Sequence, residues 1–83
     1  MDNKINCICN VMEEIYGFFS LSEFKRFQEY IKKLVYDEDL IEVPVKEHYA
    51  GFPEQWFKCT SCSQTWRLVY PDFPYKGRWS IVI

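Results

Sequence analysis

The sequence has 83 residues and a mass of 10.1 kDa, which suffices for one small domain, residues 1–83, and for no more. Its composition, 48% apolar and 19% aromatic, excludes intrinsic disorder as the main state. No apolar run approaches the ~20 residues that a membrane span needs, and the first residues contain no signal-peptide core. We therefore expect a cytoplasmic protein with no membrane partner.

The formal net charge of −2 is unevenly distributed along the chain. Residues 1–56 carry eleven acids and six bases, whereas residues 57–83 carry one acid and four bases. The negative net charge argues against a domain that binds nucleic acid over its whole surface, because such domains usually have a basic face. The acids concentrate in one stretch, which comprises Asp37, Glu38, Asp39, Glu42 and Glu47. This stretch predicts either a surface for a basic partner or an ordinary solvated acidic surface.

The first two predicted elements are a short strand within residues 10–19 and a helix from Leu21 to Tyr36. The apolar residues of the first segment fit both a strand and a helix, and we favour the strand. The helix is clearer, because Ser20 and Glu23 have the spacing of a capping box, in which each side chain satisfies a free backbone N–H. Apolar residues then recur at helical steps and form one stripe, which comprises Phe24, Phe27, Ile31, Leu34 and Val35.

Strand-like segments follow the helix at residues 40–45, 55–58, 64–69 and 78–83. Pro44 cannot donate a hydrogen bond to a neighbouring strand, so the first of these segments should either lie at an edge of the sheet or end at Pro44. Turns rich in glycine and proline separate several of the segments. The predicted fold class is therefore α+β, with one main helix packed on a small antiparallel sheet of three to five strands.

Four cysteines form two closely spaced pairs, Cys7 with Cys9 and Cys59 with Cys62. Two such pairs can present four thiolates to a tetrahedral zinc ion, each at about 2.3 Å from the metal. The second pair lies between two strand-like segments, where a zinc-knuckle-like hairpin would place it. We predict a structural zinc ion bound by all four cysteines, which would add folding free energy to a domain with a small core.

Other interpretations of the cysteines remain open. They could be reduced, buried thiols, or disulfides, although nothing indicates the oxidising compartment that disulfides require. A redox-active Cys-x-x-Cys usually lies at the start of a helix, whereas a strand-like segment follows Cys62. The single histidine, His48, could replace one cysteine as a ligand, but a surface position is the simpler interpretation.

The sequence contains no arrangement that is typical of an enzyme. A zinc ion with four thiolates has no open coordination position, so its role would be structural. Neither a Gly-rich phosphate loop nor a His-Glu-x-x-His motif occurs. The carboxylates belong to a stretch that has the pattern of a solvated surface. We therefore predict a protein without catalytic residues.

Aromatic and basic residues interleave in the C-terminal third of the chain. Such side chains on a small sheet can stack bases and hold phosphates, so a zinc-ribbon-like module that binds nucleic acid is the alternative function. The simpler interpretation is that most of the rings form the core. The basic residues of this region are Lys58, Arg67, Lys76 and Arg78.

A longer motif in the same region carries a resemblance to a known class of proteins. The run Cys59-x-x-Cys62-x-Gln64-x-Trp66-x-Leu68-x-x-Pro71-Asp72-x-Pro74-x-x-Gly77-x-Trp79, with the N-terminal Cys-x-Cys and Glu42-Val43-Pro44-Val45, resembles small bacterial immunity proteins of polymorphic-toxin and contact-dependent growth inhibition systems. The resemblance implies a cytoplasmic protein that binds a cognate toxin domain and blocks its active site or the access of its substrate. Ser63 departs from the zinc-knuckle pattern, in which a glycine often follows the second cysteine.

The charge pattern is compatible with that implied function. Toxin domains that act on nucleic acid are generally basic, and an acidic partner accelerates and orients such encounters. We therefore expect a basic protein partner rather than a nucleic acid. The residues predicted to bind it are Asp37, Glu38, Asp39, Glu42 and Glu47, assisted by one or two exposed aromatic anchors.

Overall fold

The computed structural model describes Cys9, residues 12–49 and residues 51–82. One helix, α1 (Leu21–Tyr36), precedes four strands: β1 (Leu40–Val43), β2 (Glu54–Cys59), β3 (Thr65–Val69) and β4 (Arg78–Ile81). The strands form one antiparallel sheet in the order β1-β2-β3-β4, so β1 lies at an edge, as Pro44 predicts. The predicted α+β class, with one helix on a small antiparallel sheet, is confirmed.

The helix begins at the capping residues that the sequence indicates. The Ser20 hydroxyl accepts a hydrogen bond from the backbone N–H of Glu23 at 3.1 Å. The Glu23 carboxylate accepts one from the N–H of Phe19 at 2.7 Å, one residue earlier than a capping box predicts. After the helix, Glu38 has a φ of 67°, the left-handed conformation that commonly terminates helices.

The apolar stripe of α1 packs on one face of the sheet. The helix buries Phe24, Ile31 and Leu34, and it packs Phe27 and Val35 against them. The sheet contributes Leu40, Phe57, Cys59, Trp66, Leu68 and Trp79 to the same core. Trp66 and Trp79 stack with their ring centroids 5.1 Å apart. The three tryptophans of the C-terminal third are thus buried side chains, as the simpler interpretation of these rings expected.

In residues 12–19, the part of the predicted short strand that the structure describes, the segment before the helix forms a single bridge instead of a strand. Ile15 and Trp79 exchange two backbone hydrogen bonds of 2.7 Å, which attach this segment to β4. Three residues later, the backbone N–H of Phe18 donates to the Lys76 carbonyl at 2.7 Å, and the Phe18 side chain is buried in the core. Beside the bridge, the Tyr16 hydroxyl holds the pKa of Glu14 below its ordinary value, and the N–H of Ile81 lowers it further.

The face of the sheet opposite the helix is covered by cations that lie between aromatic rings. The Arg67 guanidinium lies 5.2 Å from the ring centroid of Tyr49 and 5.5 Å from that of Trp56. Arg78 lies 4.7 Å from the centroids of both Tyr16 and Tyr49. The five side chains form what we call the cation–aromatic row, in which each guanidinium contacts two rings.

A buried carboxylate balances the charge at one end of the cation–aromatic row. The Glu54 side chain is fully buried, and it accepts hydrogen bonds from the backbone N–H of Tyr49 at 2.7 Å and from the Trp56 indole. Nε of Arg67 lies 3.3 Å from the same carboxylate, which makes an ion pair without a well-directed hydrogen bond. Glu54 and the row therefore hold the loop that carries Tyr49 against the sheet.

Candidate metal centre and charged surfaces

Three of the four cysteines meet at one end of the sheet. The sulfur atoms of Cys9, Cys59 and Cys62 all lie within 4.8 Å of one another. Within residues 9, 12–49 and 51–82 this is the one group of three or more metal-binding side chains that could hold an ion. His48, the alternative ligand, does not belong to it. Cys7, the fourth predicted ligand, lies outside the described residues.

The spacing of two of these sulfurs matches a shared metal ion better than a covalent bond between them. The sulfurs of Cys9 and Cys62 are 3.6 Å apart, whereas a disulfide bond is about 2.05 Å long. Two thiolates bound tetrahedrally to one zinc ion at about 2.3 Å would lie about 3.8 Å apart. These two side chains therefore need little movement to bind the same ion.

A tight hairpin turn between β2 and β3 brings Cys59 and Cys62 together. The N–H of Ser63 donates to the Cys59 carbonyl at 3.0 Å, and the N–H of Cys59 donates to the Gln64 carbonyl at 2.8 Å. Ser63 has a φ of 68°, in the left-handed region that glycine occupies without steric cost. The serine that departs from the zinc-knuckle pattern thus adopts the backbone conformation that the usual glycine favours.

The cluster is buried on the side of the core and open on the other side. Cys59 is buried, Cys9 is half-buried and Cys62 is exposed. The indole N–H of Trp66 donates to the sulfur of Cys9 at 3.2 Å. Such a hydrogen bond favours the thiolate and fixes its direction, as outer-shell groups of metal sites do. Trp66 therefore supports the cluster without being one of its ligands.

Trp66 was expected in the core, and it was not predicted to contact the cysteines. The pairing of Phe57 with Trp66 across β2 and β3 places both on the face that also carries Cys59, two residues further along β2. The alternation of side chains along a strand was thus a signal that could have placed Trp66 near the cysteines. Its contact with Cys9 had no such local signal.

The cysteine turn is joined to the segment that follows the helix. The Thr60 hydroxyl donates to the carbonyl of Glu38 at 2.8 Å and lies 3.3 Å from that of Asp39. The backbone N–H of Thr60 also donates to the Asp39 carbonyl, at 3.2 Å. Glu38 and Asp39, two of the predicted partner-binding acids, therefore lie beside the turn that carries Cys59 and Cys62.

The five predicted partner-binding acids are all exposed, and they lie in three places. Asp37, Glu38 and Asp39 connect α1 to β1, Glu42 lies on β1, and Glu47 lies in the loop after β1. Asp37 forms an ion pair with Lys33, whose Nζ is 3.6 Å from its carboxylate. The other four acids form no ion pair with any residue that the structure describes, so their charges face solvent.

The arginines of the basic C-terminal third are held by contacts within the protein. Arg67 is paired with Glu54 in the cation–aromatic row. Nε of Arg78 donates to the Ser80 hydroxyl at 2.9 Å, and its guanidinium also donates to the Tyr49 hydroxyl at 3.3 Å. Arg67 is therefore largely buried beside its counter-charge, and two donors of Arg78 are engaged within the fold.

One groove on this face retains a basic lining. It has a volume of about 420 Å³, and its walls include Lys46, Lys58, Trp56, Ser63 and Thr65. Two ammonium groups beside an indole ring could accommodate an anion. The basic surface expected from the sequence is thus reduced chiefly to lysines.

Comparisons of the chain with family models, with curated proteins and with solved structures find no match. In the part of the chain that the structure describes, no helix has both the length and the apolar character needed to cross a bilayer. The cysteine cluster and the exposed acids are therefore the two features from which a function can be argued.

Proposed function

We propose that this chain is a non-catalytic binding module that holds a structural zinc ion and neutralises a basic toxin domain in the cytoplasm, as an immunity protein does. The observation that carries the proposal is a contrast between the two sets of charges. The acids at the end of α1 and on β1 are exposed and nearly unpaired, whereas Arg67 and Arg78 are engaged within the fold. The surface formed by the end of α1 and by β1 is therefore acidic and free to attract a partner.

The zinc ion would be bound by Cys9, Cys59 and Cys62, with Cys7 as the fourth ligand. Two observations support this assignment. The sulfurs of Cys9 and Cys62 are 3.6 Å apart, and the hairpin turn brings Cys59 and Cys62 together. Four thiolates would leave the ion no open coordination position, which suits a structural role. They would also give the site a net charge of about −2 and add to the acidity of the folded protein.

Native mass spectrometry of protein produced in zinc-replete medium tests the metal assignment. We expect the mass of one zinc ion and a thermal unfolding midpoint that falls when a chelator is added, because zinc binding and folding are coupled. A metal-free mass, together with an unfolding midpoint that the chelator leaves unchanged, would remove zinc from the proposal.

Coexpression with the toxin domain tests the neutralising function. We expect the gene immediately upstream of the gene for this chain to encode a large secreted protein, and the partner to use is the C-terminal domain of that protein. We expect this chain to protect cells from that domain and to bind it directly in purified form. Protection that requires no binding, or binding without protection, would contradict the proposal.

The role of the acids is tested by reversing their charge. Glu38→Lys with Asp39→Lys should lower the association rate with the toxin domain about tenfold at low salt, because electrostatic steering is lost. The matched control, Glu13→Lys with Glu29→Lys, makes the same change of charge at two other exposed acids. Equal effects of the two double variants would show that net charge matters and that the position of the acids does not.

Nucleic-acid binding is the second candidate, and the groove lined by Lys46, Lys58 and Trp56 favours it. Single-stranded DNA and RNA, each titrated with this chain alone at two salt concentrations, distinguish the candidates. A nucleic-acid binder should bind at low salt and lose affinity steeply as salt rises. The immunity function predicts no binding under either condition.

A further inference from the structure

A small groove opens between α1 and strands β1, β2 and β3, and one of the exposed acids, Glu42, lies on its rim. Its volume is about 200 Å³, which is below the about 300 Å³ at which pockets for small-molecule ligands begin. Three buried side chains, Ile31, Phe57 and Leu68, give it an apolar floor. A groove of this size and lining suits one extended side chain of a partner.

A chain of hydrogen bonds fixes the rim of the groove. Nε2 of Gln28 donates to the Tyr70 hydroxyl at 3.1 Å, and that hydroxyl donates to Oε1 of Gln55 at 2.7 Å. Nε2 of Gln55 then donates to the Glu42 carboxylate at 3.0 Å. This series of hydrogen bonds therefore ends on the negative charge of Glu42. It holds the carboxylate in place before any ligand arrives, which lowers the entropic cost of ordering that side chain on binding.

The Glu42 carboxylate, at the end of this series of hydrogen bonds, remains available to a cation. Among the residues described, Glu42 has no cationic partner within ion-pair distance. Lys32 also lines the rim, but its ammonium group lies 3.5 Å from the carboxylate of Glu29, one turn back on the helix.

We propose that this groove binds a lysine or arginine side chain of the partner protein. The methylene stem would pack on Ile31, Phe57 and Leu68, and the cationic head would bind Glu42. Lysine and arginine combine an apolar stem with a charged tip, and this combination matches an apolar floor with a carboxylate at its rim. An anionic side chain would be repelled by the charge of Glu42, and a purely apolar one would leave that carboxylate without a counter-charge. The proposal rests on the proposed function only in taking the partner to be basic.

A titration followed by NMR tests the groove without the toxin. The zinc-loaded, ¹⁵N-labelled full chain is titrated with N-acetyl-arginine methylamide, and then with the citrulline analogue, which is neutral and nearly the same shape. We expect saturable shifts of the backbone amides around Val35, Glu42, Gln55 and Phe57 with the arginine probe. The citrulline probe should bind about threefold more weakly, because an exposed ion pair contributes on the order of 0.6 kcal/mol.

Three variants with changes at exposed side chains assign the site. Glu42→Gln should weaken binding of the arginine probe about threefold, and Lys32→Gln should strengthen it about twofold by removing a like charge. Glu47→Gln, with the same loss of charge in the loop after β1, should leave the affinity unchanged. A general change in fold would weaken binding of the arginine probe in both of the first two variants. Opposite changes of affinity would therefore indicate a local effect of the two charges.

The proposal is overturned if the arginine probe causes no saturable shifts around the groove, or if Glu42→Gln behaves like Glu47→Gln. Neither result would contradict the proposed neutralising function, since the probe experiment contains no toxin. Conversely, a chain that binds the arginine probe at Glu42 but neutralises no toxin would retain the groove and lose the proposed function.

Discussion

The indole N–H of Trp66 lies 3.2 Å from the sulfur of Cys9, so a hydrogen bond joins β3 to the N-terminal segment at the cysteine cluster. Trp66 is held in turn by the core, where its ring stacks on that of Trp79. The direction of one candidate metal ligand is therefore set by the packing of the sheet. Changes at Trp66 should affect the metal site through this hydrogen bond.

Trp66→Phe should weaken zinc binding by about tenfold, because loss of an outer-shell partner of a metal ligand typically costs 10–100-fold. The phenylalanine keeps an aromatic ring in the core but removes the N–H donor. Competition with a chromogenic chelator measures the affinity. In the cobalt-substituted protein, the thiolate-to-cobalt absorption band should also shift, because the sulfur of Cys9 loses its hydrogen bond.

Trp56→Phe is the matched control for that prediction. Trp56 is buried on the other face of the sheet, where its indole donates to Glu54. This variant should lower stability but leave the cobalt absorption band in place. A band that shifts equally in both variants would indicate that general destabilisation, and not the hydrogen bond to Cys9, is responsible.

Cys62→Ser distinguishes a metal ligand from a thiol without a role. Because Cys62 is exposed, its replacement in a metal-free protein should change the free energy of unfolding by no more than about 0.5 kcal/mol. With zinc present at several hundred times its dissociation constant, the bound ion adds roughly 3–4 kcal/mol, much of which the variant should lose. Chemical denaturation with zinc and with a chelator measures both values. An equally small effect in the two buffers would rule out Cys62 as a ligand.

Ser63→Gly should stabilise the protein. The left-handed conformation costs a non-glycine residue roughly 1–2 kcal/mol, and the entropy that glycine loses on folding offsets about 0.5–1 kcal/mol of the gain. We expect the free energy of unfolding to rise by about 0.5 kcal/mol or slightly more. Ser61→Gly, in the same turn but without a positive φ, should lower it. The same sign of change for both variants would contradict the assigned turn conformation.

Glu54→Gln should lower the free energy of unfolding by about 3 kcal/mol, as expected when one partner of a buried ion pair is removed. The amide would leave Arg67 without its counter-charge and would bring a donor group towards the N–H groups of Tyr49 and Trp56. Glu47→Gln, at an exposed position, should change the value by no more than about 0.5 kcal/mol. Urea denaturation of the two variants makes the comparison, and similar values would mean that Glu54 is not buried as described.

The parts of the fold that were predictable from the sequence are those with local patterns. The bounds of α1 followed from the capping spacing of Ser20 and Glu23 and from the apolar stripe. Pro44 indicated that β1 lies at an edge of the sheet. The spacing of the cysteine pairs likewise predicted that Cys9 would meet the hairpin turn. In each case a single short stretch, or a repeated spacing, carried the signal.

The parts that were missed depend on contacts between residues distant in sequence. The bridge between Ile15 and Trp79 is a single pair, so it leaves no alternating pattern in its own segment. Glu54 follows a turn, and nothing in its neighbourhood indicates a buried carboxylate until Tyr49 and Arg67 are placed around it. The environment of such residues is determined by tertiary packing, which cannot be inferred from the residues that neighbour them in sequence.

The cation–aromatic row also limits where this small domain can be cut or extended. Its members come from the segment before α1, from the loop after β1 and from three strands, so no one fragment of the chain can assemble it. Tyr49 lies in a loop and is half exposed, which would ordinarily mark a site that accepts a tag or an inserted domain. Here an insertion at Tyr49 would displace the ring that both guanidiniums contact and the backbone N–H that donates to Glu54. Fusion partners should therefore be attached away from that loop, and a fragment that starts after Tyr16 should not be expected to fold like the whole chain.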